Sequence, residues 1–485
     1  MTLSKSQFIR GTKCHKSLWL YKNRPELREQ PDSSQEALFD TGYQVGDMAK
    51  MLFLNGVEIE FDTSNFDGME QKTKELIDSG EKTIYEATFK KDCMFAMADI
   101  LHRGENGWEV YEVKASTRVK DYHELDAAFQ YRLLSRYGLD ISKVGIVHID
   151  NSYVLGDMLE IEKLFTIADI TDRVIELQNS VEYELEQMES MLEGDEPDID
   201  IGSWCSKYYG CDFGAHCWSH IPKRSVFNLY RLNGDKKFEL YYKRIINLDE
   251  IPKDYPLSKL HKLQVEKNEY IDKEVIGTFL DSLIYPINYF DFETFSDGVP
   301  RFKGQRPYTQ IPFQYSLHID YGDGSLEHRE FLAKEGEDPR KEIAEAMLRD
   351  IPKTGSIVAY NQGFEIGRIK ELAEFLPHLK EELLSLNNRF IDLIVPFRRL
   401  GYYHPEFNGS FSIKSVLPAM FRDDSELSYK SLNIQDGGSA SAIYGSLHLL
   451  KDKSKLEAIR DDLLAYCKLD TLAMVKIVEK LKTYL

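Results

Sequence analysis

No apolar run in this 485-residue chain approaches the ~18–20 residues needed to cross a bilayer, so no membrane-spanning helix is expected. The opening residues, MTLSKSQFIRGTKCHKSLW, carry scattered charges and no apolar core, so they do not read as a secretory signal, and a cytoplasmic location is the expectation. Pro/Gly/Ser-rich tracts are missing, and with 42% hydrophobic residues the chain reads as folded throughout. No internal repeat recurs at a 20–50 residue period, which excludes a solenoid. Cysteine is scarce: six in a cytosolic chain of this length do not make a disulfide framework. A basic excess is also lacking. Lys and Arg total 61 against 81 Asp and Glu, and the net charge of -20 cuts against a general affinity for polyanions.

What is present is unevenly placed. Residues 182–200 (EYELEQMESMLEGDEPDID) are strongly acidic, whereas 222–273 are rich in Lys and Arg, including Lys223, Arg224, Arg231, Lys236, Lys237, Lys243, Arg244, Lys253, Lys259 and Lys262. The length suggests two or three domains. Strand patterns occur at 84–90, 94–101, 108–114 and 143–149, with helical periodicity at 121–137 and a long helical stretch over 158–193. Cys205, Cys211 and Cys217 follow within thirteen residues, a clustering typical of metal ligands. A connector with short elements of its own spans 221–283. A second α/β pattern begins at 284: strands at 284–294, 311–319, 326–332 and 356–361, and helices at 339–350, 363–375 and 456–484.

Three motifs in this second half carry chemistry. Asp291 and Glu293 end an apolar strand, and period-two alternation puts both carboxylates on one face. Glu365, in NQGFE after the strand SIVAY, falls in the first turn of the next helix. Tyr466 and Asp470 lie four residues apart on the final helix and share a face. Order, spacing and local structure together resemble the DEDD (DnaQ-like) exonucleases in their Tyr-containing subclass, over about 284–485. The resemblance implies an RNase H-like domain with a mixed sheet. Asp291, Glu293, Glu365 and Asp470 would hold two Mg²⁺ or Mn²⁺ ions, and Tyr466 would orient or deprotonate the attacking water. The family usually has Asp in the second motif; Glu365 stands there instead, and Asp392 in RFIDL is the alternative. Lys414 and Ser412, with Arg301, Lys303 and Arg306, are candidates for the substrate backbone.

The first half offers Asp99 at a strand end, then Glu112 and Lys114 on one face of the next strand, then Gln130 on a helix. Two acids suit a divalent cation, and the ammonium suits a developing phosphorane charge. Acid followed by acid-x-Lys is the core of the PD-(D/E)xK nucleases. With Cys14 upstream and Cys205, Cys211 and Cys217 downstream, the pattern resembles RecB-family nucleases with an iron–sulfur cluster. That resemblance implies a restriction-endonuclease-like domain over 1–220 with Asp99 and Glu112 as metal ligands. The four cysteines would hold a [4Fe–4S] cluster, with Zn²⁺ as the alternative. The downstream spacing, C-x5-C-x5-C, departs from the family's more frequent C-x2-C.

The expectation is therefore a metal-dependent nuclease that fuses the two domains, acts on nucleic acid (DNA favoured over RNA) and serves DNA repair or foreign-DNA processing. Two alternatives stand beside it. In one, only the exonuclease is active and the N-terminal domain binds DNA ends. In the other, the chain is a non-catalytic redox-sensing scaffold.

Overall fold

The structure, a computed structural model, describes residues 2–422 and 424–485. Among them, no helix is long and apolar enough to cross a membrane. The chain is mixed α/β and divides into two compact units, one of Met1–His220 with Asp297–Tyr308, the other of Ile221–Ser296 with Thr309–Leu485.

The first unit is built on a seven-stranded sheet: β1 Leu3–Ser4, β2 Val57–Glu58, β3 Thr83–Lys91, β4 Met94–Arg103, β5 Trp108–Lys114, β6 Ile141–Ile149 and β7 Phe165–Asp169. Its order is β2-β3-β4-β5-β6-β7, with β1 pairing parallel to β4. The β5–β6 pair is parallel, and the helix Asp121–Tyr137 supplies the crossover that such a pair requires. Alternation along β6 sends Val144 and Ile146 into one core with Phe8, Phe89, Phe129 and Leu185. Val147 and Ile149 enter a second core with Val45, Tyr85 and Phe165. Both faces are covered, which is why KVGIVHI reads as nearly continuous hydrophobic sequence.

Two expectations need correcting here. The stretch 158–193 is not one helix: β7 interrupts it, and helices run over Ile161–Leu164, Thr171–Glu176 and Gln178–Leu192. Residues 165–169 add an edge strand antiparallel to β6, and an edge strand with one buried side chain shows little period-two signal. Asp99 does not end its strand either, since β4 continues to Arg103.

The second unit holds a two-stranded sheet, β8 Tyr270–Ile271 with β14 Tyr402–Tyr403. Its main sheet has five strands: β9 Ile287–Phe295, β10 Ile311–Asp320, β11 Leu326–Leu332, β12 Ile357–Ala359 and β13 Phe390–Asp392. The order is β11-β10-β9-β12-β13, antiparallel among β11, β10 and β9, and parallel from β9 through β12 to β13. Phe290 and Phe292 point into a core with the helices Arg340–Asp350, Gly363–Phe375 and Lys380–Asn387. The opposite face is packed by Gly437–Leu447 and the 30-residue helix Lys453–Lys482. Residues 221–283 cluster with this unit and carry a small core of Val226, Leu229, Leu240, Leu248 and Ile251. Several of their cations have structural partners: Arg224 pairs with Asp249, Lys243 with Glu239, and Lys237 donates to the Phe227 carbonyl.

Candidate functional sites

In the second unit, alternation on β9 turns Asp291 and Glu293 away from Phe290 and Phe292, toward the helix Lys453–Lys482. There they meet Asp470. One ligand oxygen from each of the three lies within 4.8 Å of the others. Burial and mutual repulsion push the Asp291 and Glu293 carboxyls well above the carboxylate range. Burial raises Asp470 to about 6, held from going higher by the Tyr429 hydroxyl, which donates to its Oδ1 at 2.5 Å. Such a cluster is held together by the fold against its own charge, the condition that a bound cation relieves.

Tyr466 sits one turn before Asp470. Its hydroxyl is kept protonated by burial and by Asp470, Glu293 and Asp291. A Cβ placed on Gly437 would stand 3.4 Å from Glu293 Oε2 and 3.9 Å from the Tyr466 hydroxyl, so the first turn of the helix Gly437–Leu447 closes one side of the site. Lys414 Nζ lies 5.3 Å from the Tyr466 ring centre and 5.4 Å from that of Tyr429. Its charge draws all three acids downward.

Glu365 stands outside the close trio. Asn361, at φ 72°, turns the chain from β12 into the helix Gly363–Phe375 and leaves Glu365 in the first turn. The side chain is buried, Oε2 has no hydrogen-bond partner, and burial pushes the carboxyl to about 8. Asp392 is otherwise engaged: its Oδ1 accepts from the Asn361 amide at 2.8 Å and the Ile394 amide at 3.1 Å. It shapes the turn that aims Glu365. Tyr429 and Gly437 carried no signal in the sequence, because neither belongs to a periodic motif.

In the first unit, Asp99, Glu112, Lys114 and Gln130 converge. The β4–β5 ladder stops at Ile100–Tyr111, and beyond it Asp99 Oδ2 accepts the Val113 amide at 2.7 Å. Glu112 Oε1 accepts from Lys114 at 2.7 Å, and Oε2 from Gln130 Nε2 at 2.7 Å. Sequence reasoning missed two members, Asp126 and Lys5. Asp126 accepts from Lys114 at 2.6 Å. Lys5 Nζ reaches Glu112 at 2.8 and 2.9 Å, Asp99 at 3.2 Å and the Met97 carbonyl at 3.1 Å. Lys5 was hidden by its 107-residue separation from Glu112, whereas Asp126 sits one turn before Gln130 on the same helix, a spacing that could have found it. Burial against these acids also raises Glu86 on β3 to about 7.

Cys14, Cys205, Cys211 and Cys217 line a single cavity with Lys13, Lys16 and Trp204. Cys14 separates the helices Lys5–Lys13 and His15–Asn23, and Cys217 ends the short helix Gly214–Cys217. Bidentate contacts of 2.6 and 2.9 Å from Arg10 to Asp212, with Arg28 at 2.6 Å, bind the two segments together. Burial raises the Cys14 thiol and pushes Cys217 to about 11. Elsewhere, Arg301 pairs with Asp297, Lys303 with Asp157, and the Ser412 hydroxyl with Ser415.

A family model described as a domain of unknown function (DUF2779) matches residues 288–412. An uncharacterized protein of Mycoplasma genitalium, MG366, is 27% identical over 208 residues, 39% of this chain and 31% of that protein. Its Mycoplasma pneumoniae homolog is 30% identical over 214 residues, 41% of this chain and 32% of its own. The uncharacterized protein UU173 of Ureaplasma parvum is 32% identical over 171 residues, 31% of this chain and 24% of its own. These matches span about a third or less of each relative's length.

Proposed function

We propose that the chain is a metal-dependent nuclease whose principal activity is 3′→5′ exonucleolysis at the second-unit site. The observation that carries this reading is the meeting of Asp291, Glu293 and Asp470 within 4.8 Å, beside the Tyr466 hydroxyl. The antiparallel-then-parallel sheet order and the arrival of one acid from a helix's first turn support an RNase H-like domain of DEDD type. All-oxygen donors suit Mg²⁺ or Mn²⁺. Asp291, Glu293 and Asp470 would hold the ions, with Glu365 completing the set from the side. When bound, such a pair stabilises the attacking and leaving oxygens of an in-line displacement at phosphorus. Tyr466, held as O–H, orients the attacking water rather than deprotonating it. Tyr429 fixes the Asp470 carboxylate, and Lys414 offers charge to the substrate's phosphates.

The convergence of Asp99, Glu112, Lys114 and Gln130 supports a second, PD-(D/E)xK nuclease site in the first unit. The four cysteines fit a cluster better than a single zinc. A tetrahedral zinc, with bonds of about 2.3 Å, draws its sulfurs within about 4 Å of one another. Among the described residues, no three of these sulfurs lie within 4.8 Å of each other; they ring a cavity instead. A [4Fe–4S] cluster there would join the start of the unit to its end.

The test uses anaerobically purified protein with 3′- and 5′-labelled single- and double-stranded DNA, and matching RNA, in Mg²⁺ and in Mn²⁺. Loss of stepwise 3′→5′ products in Asp291→Ala is the expected result, with a second product pattern lost in Lys114→Ala. Unchanged degradation by Asp291→Ala would refute the principal reading, and RNA cleavage with DNA spared would refute the preference for DNA.

A further inference from the structure

The acid cluster of the first unit already contains a cation. Lys5 Nζ lies within 3.2 Å of four oxygens: Asp99 Oδ1, both Glu112 oxygens and the Met97 carbonyl. This is the donor set a divalent ion would use, two carboxylates and a backbone carbonyl. The placement is costly on local grounds. Ser4 and Gln7 form a capping box, so Lys5 is the first residue of the helix Lys5–Lys13, where a positive charge opposes the helix dipole. The pairing of β1 with β4 fixes that helix start over the acids. What holds the ammonium there is the carboxylates, not the helix.

Two buried polar atoms at the same place lack partners. Gln130 is fully buried and donates to Glu112, yet its Oε1 has no hydrogen bond; Asp126 is 6% exposed, and its Oδ1 has none. The cluster therefore retains acceptor capacity that its two lysines do not use. The Lys5 side chain keeps 22% of its surface exposed, so a path outward exists.

We propose that Lys5 is a built-in counter-ion of the first-unit site, so that Mg²⁺ or Mn²⁺ enters the oxygen cradle only in exchange for the Lys5 ammonium. An ion at the same four oxygens cannot coexist with a charged nitrogen within hydrogen-bond distance of each. The free protein thus holds the Asp99 and Glu112 oxygens on an ammonium and closed to metal at low concentration, and opening the site requires the first turn of the N-terminal helix to release its lysine. The exchange rests on the second-nuclease reading only for its purpose, not for its occurrence.

The test is Mn²⁺ binding by calorimetry and electron paramagnetic resonance on the full chain carrying Asp291→Asn and Asp470→Asn, which empties the other acid site. In that background Lys5→Met is expected to tighten Mn²⁺ binding at least tenfold and to enlarge the Mn²⁺-dependent rise in Tm, while Lys5→Arg leaves binding weak. Adding Asp99→Asn should abolish the gain. If Lys5→Met does not fold, Lys5→Gln, which keeps donors for Glu112, takes its place. Equal affinity with and without Lys5, loss of binding on its removal, or no binding in any variant would each overturn the proposal. Tight Mn²⁺ binding by Lys5→Met with no cleavage attributable to Lys114 would instead sink the second-nuclease reading and leave the exchange intact.

Discussion

The Tyr429 hydroxyl donates to Asp470 Oδ1 at 2.5 Å, joining a residue outside every motif to the last acid of the candidate exonuclease site. Outer partners of this kind fix the orientation of a ligating carboxylate. Tyr429→Phe keeps the ring and removes the bond. It should raise the Mn²⁺ concentration needed for half-maximal 3′→5′ degradation by roughly 10–100-fold, with Tm little changed.

Removing one charge from the trio should separate activity from stability. Asp291, itself half-buried, is crowded by the buried Asp470 and Glu293. Asp291→Asn should abolish exonuclease activity while raising Tm in chelator. Relief of about 1 kcal/mol corresponds to about 2–4 °C for a unit of this size. A lower Tm for the variant in chelator would contradict the repulsion argument.

Glu365 and Asp392 should fail in opposite ways. Glu365→Gln changes a buried carboxylate whose Oε2 has no hydrogen bond, so activity should be lost with the fold intact. Asp392→Ala removes the acceptor of the Asn361 and Ile394 amides, in bonds that are exposed and part-buried, and should cost about 0.5–1.5 kcal/mol of stability. Assayed well below its Tm, that variant should retain substantial activity.

The cysteine cavity predicts about four iron atoms per chain in anaerobic protein, and Cys14→Ser should lower that content and the Tm together. Stoichiometric zinc with iron absent would favour the other metal.

A buried histidine and a half-buried one should make stability pH-dependent. His318, bonded to Thr471 at 2.8 Å, is depressed by burial from 6.5 to about 3, and His328 to about 4. The unfolded chain binds these protons first, so the contribution is complete above pH 6.5 and is lost as pH falls, down to about 4 for His328 and about 3 for His318. For His318 the loss reaches roughly 2 kcal/mol by pH 5. Urea unfolding should show a smaller drop between pH 7 and 5 in His318→Asn.

Short-range order was legible in the sequence. Period-two alternation put Asp291 beside Glu293 and Glu112 beside Lys114. Helical spacing aligned Tyr466 with Asp470, and the helix 121–137 matches the observed span. These depend on backbone geometry within a few residues, which side-chain type reports directly. What only the tertiary structure decided is which distant groups share a site. Lys5 joins Glu112 across 107 positions and Tyr429 joins Asp470 across 41, through contacts that leave no periodic trace. The sequence could likewise propose either Glu365 or Asp392. In the tertiary structure Asp392 Oδ1 accepts from two backbone amides, while Glu365 is buried with Oε2 lacking a hydrogen bond, a difference in surroundings that no spacing in the sequence reports.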